Sequence, residues 1–258
     1  MRKTFTYLFL IAILLSIFAS CRKEIEKYHR PDWLKGKLYS QVEATEDLDS
    51  FAICIKEVGL DSIINVGGSF TVFAPTNQAF QEYFQSNSKY KKISDIPLKE
   101  LEEIVKYHIV QNSWSTTQLM NLNSTGWVNP NDPDDKAWGF KRQTILKEDY
   151  KKYWVTVDRG VYTISDSLKS NLYRMVNTTS RKYVPFFFDE YLNTAELSSD
   201  DYDYFFPSGY SSGKMHFAGS RLNSTEIYAE NGIVFTIDEV VEPLKNAEEL
   251  LKQEQNGH

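Results

Sequence analysis

Gly68-Ser69-Phe70-Thr71-Val72-Phe73-Ala74-Pro75-Thr76-Asn77-Gln78-Ala79-Phe80 reads as a turn, a strand and a helix start in immediate succession. Gly67-Gly68 turns the chain, Phe70 to Ala74 is a short β-prone run, and Pro75 closes it because it cannot donate to a sheet ladder. Thr76 or Asn77 is then placed to cap a helix whose first turn includes Ala79 and Phe80.

Upstream, Leu48, Phe51, Ala52, Ile55, Val58 and Leu60 recur at three- and four-residue intervals, which predicts one amphipathic helix between Tyr39 and Leu60 with Gly59 at its stop. Downstream, Pro97 opens a helix in which Leu101, Ile104, Val105, His108 and Ile109 share one face and Glu102, Glu103 and Lys106 the other. Near the C-terminus, Asn231-Gly232 is a turn leading into Ile233 to Val241, a buried strand ended by Pro243. Lys245 to His258 reads as a polar helical or frayed tail.

In this order the pieces resemble the fasciclin domain. Its first motif is matched by Gly68 to Phe80, its Tyr-His motif by Tyr107-His108-Ile109-Val110, and its closing motif by Asn231 to Pro243. Phe235 stands where that family usually has histidine. The resemblance implies an α+β fold with a mixed β-sheet core, helices packed beside it and a long insertion before the last strands. The matched residues Phe70, Thr71, Phe73, Pro75, Thr76, Tyr107, His108, Asn231 and Gly232 have structural chemistry: apolar strand faces, a strand end, a helix cap, a turn. In the family the histidine is also linked to adhesion, here expected as an indirect effect of packing. On an apolar helix face, His108 is expected as a buried neutral imidazole bonded to backbone or to a hydroxyl.

The N-terminus has Arg2 and Lys3 before an uncharged apolar run from Tyr7 to Phe18. That run is too short for a bilayer core, which takes about 20 helical residues, and it has the layout of a secretory signal. Ile17-Phe18-Ala19-Ser20-Cys21 resembles a bacterial lipobox, with Phe18 where leucine is usual. This implies cleavage before Cys21 and its acylation, anchoring the chain in a membrane. The expected organisation is signal peptide 1–20, charged tether 21–35, fasciclin-like domain 36–246 with its insertion at about 126–213, and tail 247–258. Cys54 is then the one remaining cysteine, which excludes a disulfide framework, and its apolar setting makes it a small buried hydrophobe.

The net charge of −6 is spread with no basic block, so the footprint of a nucleic-acid binder is missing. The insertion is rich in aromatics: Trp127, Trp138 and Trp154, then Tyr183 to Tyr191, and Asp201-Tyr202-Asp203-Tyr204-Phe205-Phe206-Pro207. Tyr153 to Val157 alternates like a strand, Lys214 to Gly219 suggests another, and most of the rest reads as loop. Its rings either form a satellite core or sit on the surface, where they stack on sugars or anchor a protein partner. The segment from Asp200 to Pro207 is expected to be exposed, and Trp127, Trp138, Tyr202, Tyr204 and Phe205 are the candidate contact residues.

Asn131 to Asp135 clusters oxygen ligands but lacks the glycine turn and distal glutamate of a calcium loop, and reads as a solvated turn. The sequons at Asn123, Asn177 and Asn223 carry meaning only in a eukaryotic secretory pathway. No phosphate loop, Cys/His metal spacing or nucleophile–base constellation is present, so neither a cofactor nor an enzymatic activity is expected. A glycan-active enzyme would need two suitably separated carboxylates, and Asp189-Glu190 and Asp200, Asp201 and Asp203 do not supply that pattern. The resemblance to Bacteroidota-type envelope lipoproteins implies an outer-membrane, surface-exposed accessory protein of a SusC/SusD-like nutrient importer, and cell adhesion is the competing reading.

Overall fold

The computed structural model describes residues 31, 34, 36–123, 126–127, 140–155, 173–223, 225–245 and 250; of 121–123, 126–127, 140, 148–155 and 173–180 it describes the backbone alone. The chain divides into two units, Met1–Lys35 and Gly36–His258. In the first, only Pro31 and Leu34 are described, and the leader and Cys21 lie outside the described residues. The second holds the architecture that follows. Among the described residues no helix is long and apolar enough to cross a membrane.

Two short helices, α1 (Leu38–Ala44) and α2 (Asp49–Glu57), stand where one was expected over Tyr39–Leu60, and a third, α3 (Asp61–Val66), follows directly. The first break comes where the Thr45 hydroxyl donates back to the Gln41 carbonyl at 2.6 Å and Asp47 takes a left-handed φ of 76°. The apolar spacing nonetheless runs on across both breaks, because Leu38, Val42, Leu48, Phe51, Ile55, Leu60 and Ile64 all enter one buried cluster. Periodicity therefore reported the buried side correctly and missed the joints.

The remaining elements are β1 (Phe70–Pro75), α4 (Asn77–Ser86), a 3₁₀ turn (Ile93–Asp95), α5 (Leu98–Tyr107), β2 (Ile109–Gln111), α6 (Thr116–Asn121), β3 (Leu122–Asn123), β4 (Gly126–Trp127), β5 (Phe140–Val155), β6 (Tyr173–Phe187), α7 (Asp189–Thr194), α8 (Ser199–Phe205), β7 (His216–Phe217), β8 (Ser220–Arg221), β9 (Ile227–Ala229) and β10 (Gly232–Ile237). Eight strands form one mixed sheet in the order β8-β7-β6-β5-β2-β1-β10-β9. The fold is α+β.

β1 runs parallel to β10, from Phe70 opposite Gly232 to Pro75 opposite Ile237, and antiparallel to β2. Its side chains alternate between two cores, as period-two geometry requires. Val72 and Ala74, with Val234 of β10, join α1–α3 in the first core. Phe73, with Ile233, Phe235 and Ile237, faces a second core on the opposite side of the sheet. In that core Phe73 stacks on Phe235 (5.4 Å between centroids, 9°) and on Phe217 (4.6 Å, 24°), with Phe186 at 5.2 Å. An apolar ring at position 235 fits because its surroundings are rings.

Each motif residue has a mechanical reason to be present. The Thr76 hydroxyl accepts the Ala79 N–H at 3.1 Å, capping α4, while Asn77 accepts the Ser50 N–H at 2.9 Å in the first turn of α2. The Thr71 hydroxyl donates to the Asn112 carbonyl and accepts the Trp114 N–H, both at 2.8 Å. Asn231 does more than turn the chain: its side chain accepts the Leu38 N–H at 2.9 Å and donates to the Ile64 carbonyl at 2.7 Å, tying α1 and α3 to the sheet. Gly232 lies so close to β1 that a Cβ there would collide with the Phe70 carbonyl oxygen and the Leu38 side chain.

Two expectations shift by a few residues. α5 ends at Tyr107, so His108 occupies its C-terminal cap and Ile109 belongs to β2, neither lying on a helix face. The closing strand ends at Ile237 rather than Val241.

The larger correction concerns 126–213, which was expected to be mostly loop. β5 and β6 pair antiparallel from Phe140 opposite Phe186 to Val155 opposite Tyr173, with an irregularity between Gln143 and Lys147, and β5 joins the sheet through Val110 opposite Thr144. The buried positions Arg142, Thr144 and Leu146 alternate, but two of them are polar, so no apolar period announced the strand. Pro185 lies within β6, where it has no N–H to donate, and β7 pairs only with Phe186 and Phe187 beyond it. Lys214 to Gly219 contains β7 alone, and β8 begins at Ser220.

Candidate binding surface

The part of 183–213 that leaves the sheet forms a small helical cap. α8 begins with a capping box: the Ser198 hydroxyl accepts the Asp201 N–H at 3.4 Å, and Asp201 accepts the Ser198 N–H at 2.8 Å. The Ser198 N–H first, and then the Ser198 hydroxyl, which lies 2.7 Å from the same carboxylate oxygen, hold the Asp201 carboxyl below its ordinary pKa. The loop after α8 is fixed by Asp189, which accepts the Tyr210 hydroxyl at 2.7 Å, the Ser212 hydroxyl at 3.0 Å and the Gly213 N–H at 2.8 Å. The Tyr210 bond contributes most to lowering the Asp189 pKa. Both carboxylates are therefore employed as structural acceptors.

α8 sends its aromatic residues in opposite directions. Tyr202 is 3 % exposed, donates its hydroxyl to the Ala218 carbonyl at 2.9 Å, and meets Phe187 edge-on at 5.2 Å. Burial above all pushes its phenol up, with Glu239, Asp203 and Asp238 adding negative field. The expected exposure of Asp200 to Pro207 thus fails at Tyr202, because a helix buries one stripe and this residue lies on it. Tyr204 and Phe205 are 83 % and 72 % exposed and stand edge-on to each other at 5.0 Å.

Beside Phe205 lies an open apolar groove of about 760 Å³, lined by Phe187, Tyr191, Leu192, Leu197, Tyr202 and Phe206 from the cap, and by Pro243, Leu244 and Leu250 from the C-terminal segment. Asp201, Glu242 and Lys245 supply its polar edge. Leu197, Leu244 and Leu250 are partly exposed there, so the groove presents apolar surface to solvent. Leu197, Leu244 and Leu250 were not foreseen as contact residues. The serine-to-aspartate spacing of the capping box was a usable signal for the helix that positions Phe205, whereas the approach of Leu244 is set by tertiary packing. Trp138 lies outside the described residues, as do the side chain of Trp127 and the Asn131 to Asp135 cluster.

The titratable groups that invite a chemical reading are sequestered. His108 is fully buried; its Nδ1 lies 2.8 Å from the Ile104 carbonyl and its Nε2 3.2 Å from the Val241 N–H. A neutral ring donating through Nδ1 and accepting at Nε2 satisfies both contacts. Burial lowers its pKa to about 4. Cys54 is buried within α2, and burial pushes its thiol up to about 12, far from the thiolate a nucleophile needs. His216 is buried against Tyr210 and Tyr202 and accepts the Ser211 N–H at 3.2 Å. Among the described residues no group of three His, Cys, Asp or Glu side chains is arranged to hold a metal.

Residues 46–166 match the model of the Fasciclin domain. Over that stretch, somewhat under half of its length, the chain is similar to the fasciclin domain. The match covers α2 through β5 and stops short of β10, although β10 is the parallel neighbour of β1 inside the sheet. The domain as folded therefore extends past the matched residues.

Stabilin-1 of Homo sapiens is 33 % identical over 77 residues, covering 30 % of this chain, and Stabilin-1 of Mus musculus is 32 % identical over a stretch of the same length. The chain spans 3 % of the length of these relatives. Among solved structures, a FAS1 domain pair from the insect cell adhesion molecule Fasciclin I aligns over 81 % of this chain and 49 % of that one, at 14 % identity and a TM-score of 0.33.

Proposed function

We propose that this protein is an exported, non-catalytic binding protein, in which the fasciclin domain is a rigid scaffold and the α8 ridge with its groove meets a partner at the cell surface. The observation that carries this reading is the division of labour within one helix: Tyr202 is spent on holding the cap down, while Tyr204 and Phe205 stand in solvent beside an apolar groove. Exposed aromatics next to a concave apolar surface are the usual anchors of recognition. The sequestration of His108 and Cys54 favours binding over chemistry.

Acylation at Cys21 would tether the domain to the outer membrane through the charged segment 21–35. Two finer versions follow. In one, the protein is an accessory subunit of a SusC/SusD-like importer of glycans or peptides. In the other it is an adhesion protein, a reading favoured by the match to the fasciclin domain.

Capture from detergent-solubilised membranes with wild-type and Phe205→Ala protein tests the proposal. A β-barrel transporter recovered with wild type and lost with the variant supports the accessory version. Adhesion of intact cells that the variant abolishes, with no transporter recovered, supports adhesion. Turnover of a glycan by purified protein would overturn both.

A further inference from the structure

β5 and β6 run on past the strands beside them. On the edge of β5 away from β6, the one ladder pair among the described residues is Thr144 with Val110. On the edge of β6 away from β5, the ladder to β7 takes only Phe186 and Phe187. The nine consecutive pairs from Lys147–Arg181 to Val155–Tyr173 therefore bond to each other and, among the described residues, to no third strand. At about 3.3 Å per residue this ribbon is about 30 Å long. Two strands alone are marginal in water, and an open edge of that length is a template for another strand.

The residues along the β5 edge decide which strand fits it. Glu148-Asp149-Tyr150-Lys151-Lys152 is two acids, a ring and two bases in succession. Two copies meeting by this edge expose the same alternate N–H and C=O groups, so an antiparallel pairing places its two-fold axis at a residue. With the axis at Tyr150, Glu148 stands opposite Lys152 of the second copy and Asp149 opposite Lys151, and the symmetry repeats both pairs. Directly opposite residues share a face, where unlike charges attract and like charges repel. Shifting the axis to Asp149 sets that residue against itself and Lys147 against Lys151; shifting it to Lys151 sets lysine against lysine. Charge thus selects one register. The stretch of β6 from Arg174 to Ser180 has no carboxylate and offers no such match. We infer that the protein pairs with a second copy of itself through the outer edge of β5, joining two ribbons into one four-stranded sheet centred on Tyr150. A two-fold pairing of this kind closes on itself, whereas β5 against β6 of the next copy would grow without end. The inference does not depend on the binding role of the α8 ridge.

Sedimentation equilibrium of the full chain in density-matched detergent reads the assembly. Wild type forms dimers whose dissociation constant rises about tenfold or more between about 0.05 and 0.5 M NaCl, as screening of exposed charges requires. The double substitution Lys151→Glu with Lys152→Glu, and separately Glu148→Lys with Asp149→Lys, each give monomers where wild type is dimeric. Mixed in equal amounts the two variants dimerise again, because every opposed pair is then unlike. In a Cys21→Ser background, Tyr150→Cys oxidises to a disulfide-linked dimer while Lys147→Cys does not. Residues opposed at the axis have Cα atoms about 4.5–5.5 Å apart, within the roughly 4.4–6.8 Å that a disulfide spans. A wild-type chain that stays monomeric overturns the inference. So do charge variants that dimerise separately as tightly as wild type, or a mixture of folded variants that stays monomeric. Should the charge variants fail to fold by circular dichroism, the two cysteine variants decide alone: equal cross-linking at both positions, or none at Tyr150→Cys, overturns the pairing.

Discussion

At the scale of single residues, His108 carries the clearest prediction. Its folded pKa, near 4, lies below the unfolded value of 6.5, so the unfolded chain binds the extra proton between those values. Stability therefore rises with pH through that window and falls as the medium is acidified. The full difference corresponds to about 3 kcal/mol, lost progressively below about pH 6.5. His216 is shifted in the same direction, chiefly by burial, and adds to the slope. Urea denaturation at pH 7 and pH 4.5 should show His108→Gln less stable than wild type at neutral pH but flatter across the interval. Equal slopes for the two proteins would exclude this assignment. The paired tyrosine and phenylalanine of α8 make a second contrast. Tyr202→Ala should cost about 3–5 kcal/mol, as for other large buried rings, whereas Phe205→Ala should change stability by less than about 0.5 kcal/mol; thermal melts of the two variants decide it.

The same scale shows how far the amino-acid string could be read. Thr76 as a cap was recoverable from neighbours close in sequence, and the apolar settings of Cys54 and His108 pointed to their burial, although one of the two ring partners of His108, the Val241 N–H, comes from far along the chain. Tyr202 was misplaced because composition alone assigns acidic aromatic segments to the surface, while a helix face assigns each residue separately. Leu244 and Leu250 could not be found at all, since what makes them a groove wall is the cap folded against them from elsewhere in the chain.

Among elements, strands with period-two apolar patterns were readable and those with polar inward positions were not. β1 and β10 show the pattern; β5 hides it behind Arg142 and Thr144, of which the latter donates its hydroxyl to the Lys182 carbonyl at 2.8 Å. The helix expected over Tyr39–Leu60 was misread for the converse reason, its apolar period continuing across the breaks between α1, α2 and α3. The contact of β1 with β10 is the element-level feature most sensitive to change. Gly232→Ala forces a methyl group against the Phe70 carbonyl and should destabilise by more than about 3 kcal/mol. Amide hydrogen exchange should show the loss of protection concentrated in Phe70–Pro75 and Gly232–Ile237, and an unaltered pattern would refute that placement of the strain. Thr76→Ala, removing one cap bond, should cost only about 1 kcal/mol.

For the whole molecule, the fasciclin match and the folded sheet do not coincide. A fragment limited to residues 46–166 lacks β10, the parallel neighbour of β1, and should be unfolded by far-ultraviolet circular dichroism and proton NMR, whereas residues 36–258 should give a dispersed, cooperative spectrum. A folded short fragment would mean that β10 is dispensable. The order of events during biosynthesis is then constrained. β1 emerges well before its partner Gly232–Ile237, so until that strand arrives a hydrogen-bonding edge inside the future sheet stays open to strangers. Export through a secretory pathway, in which a chain is kept extended until released, would spare this protein that interval of risk.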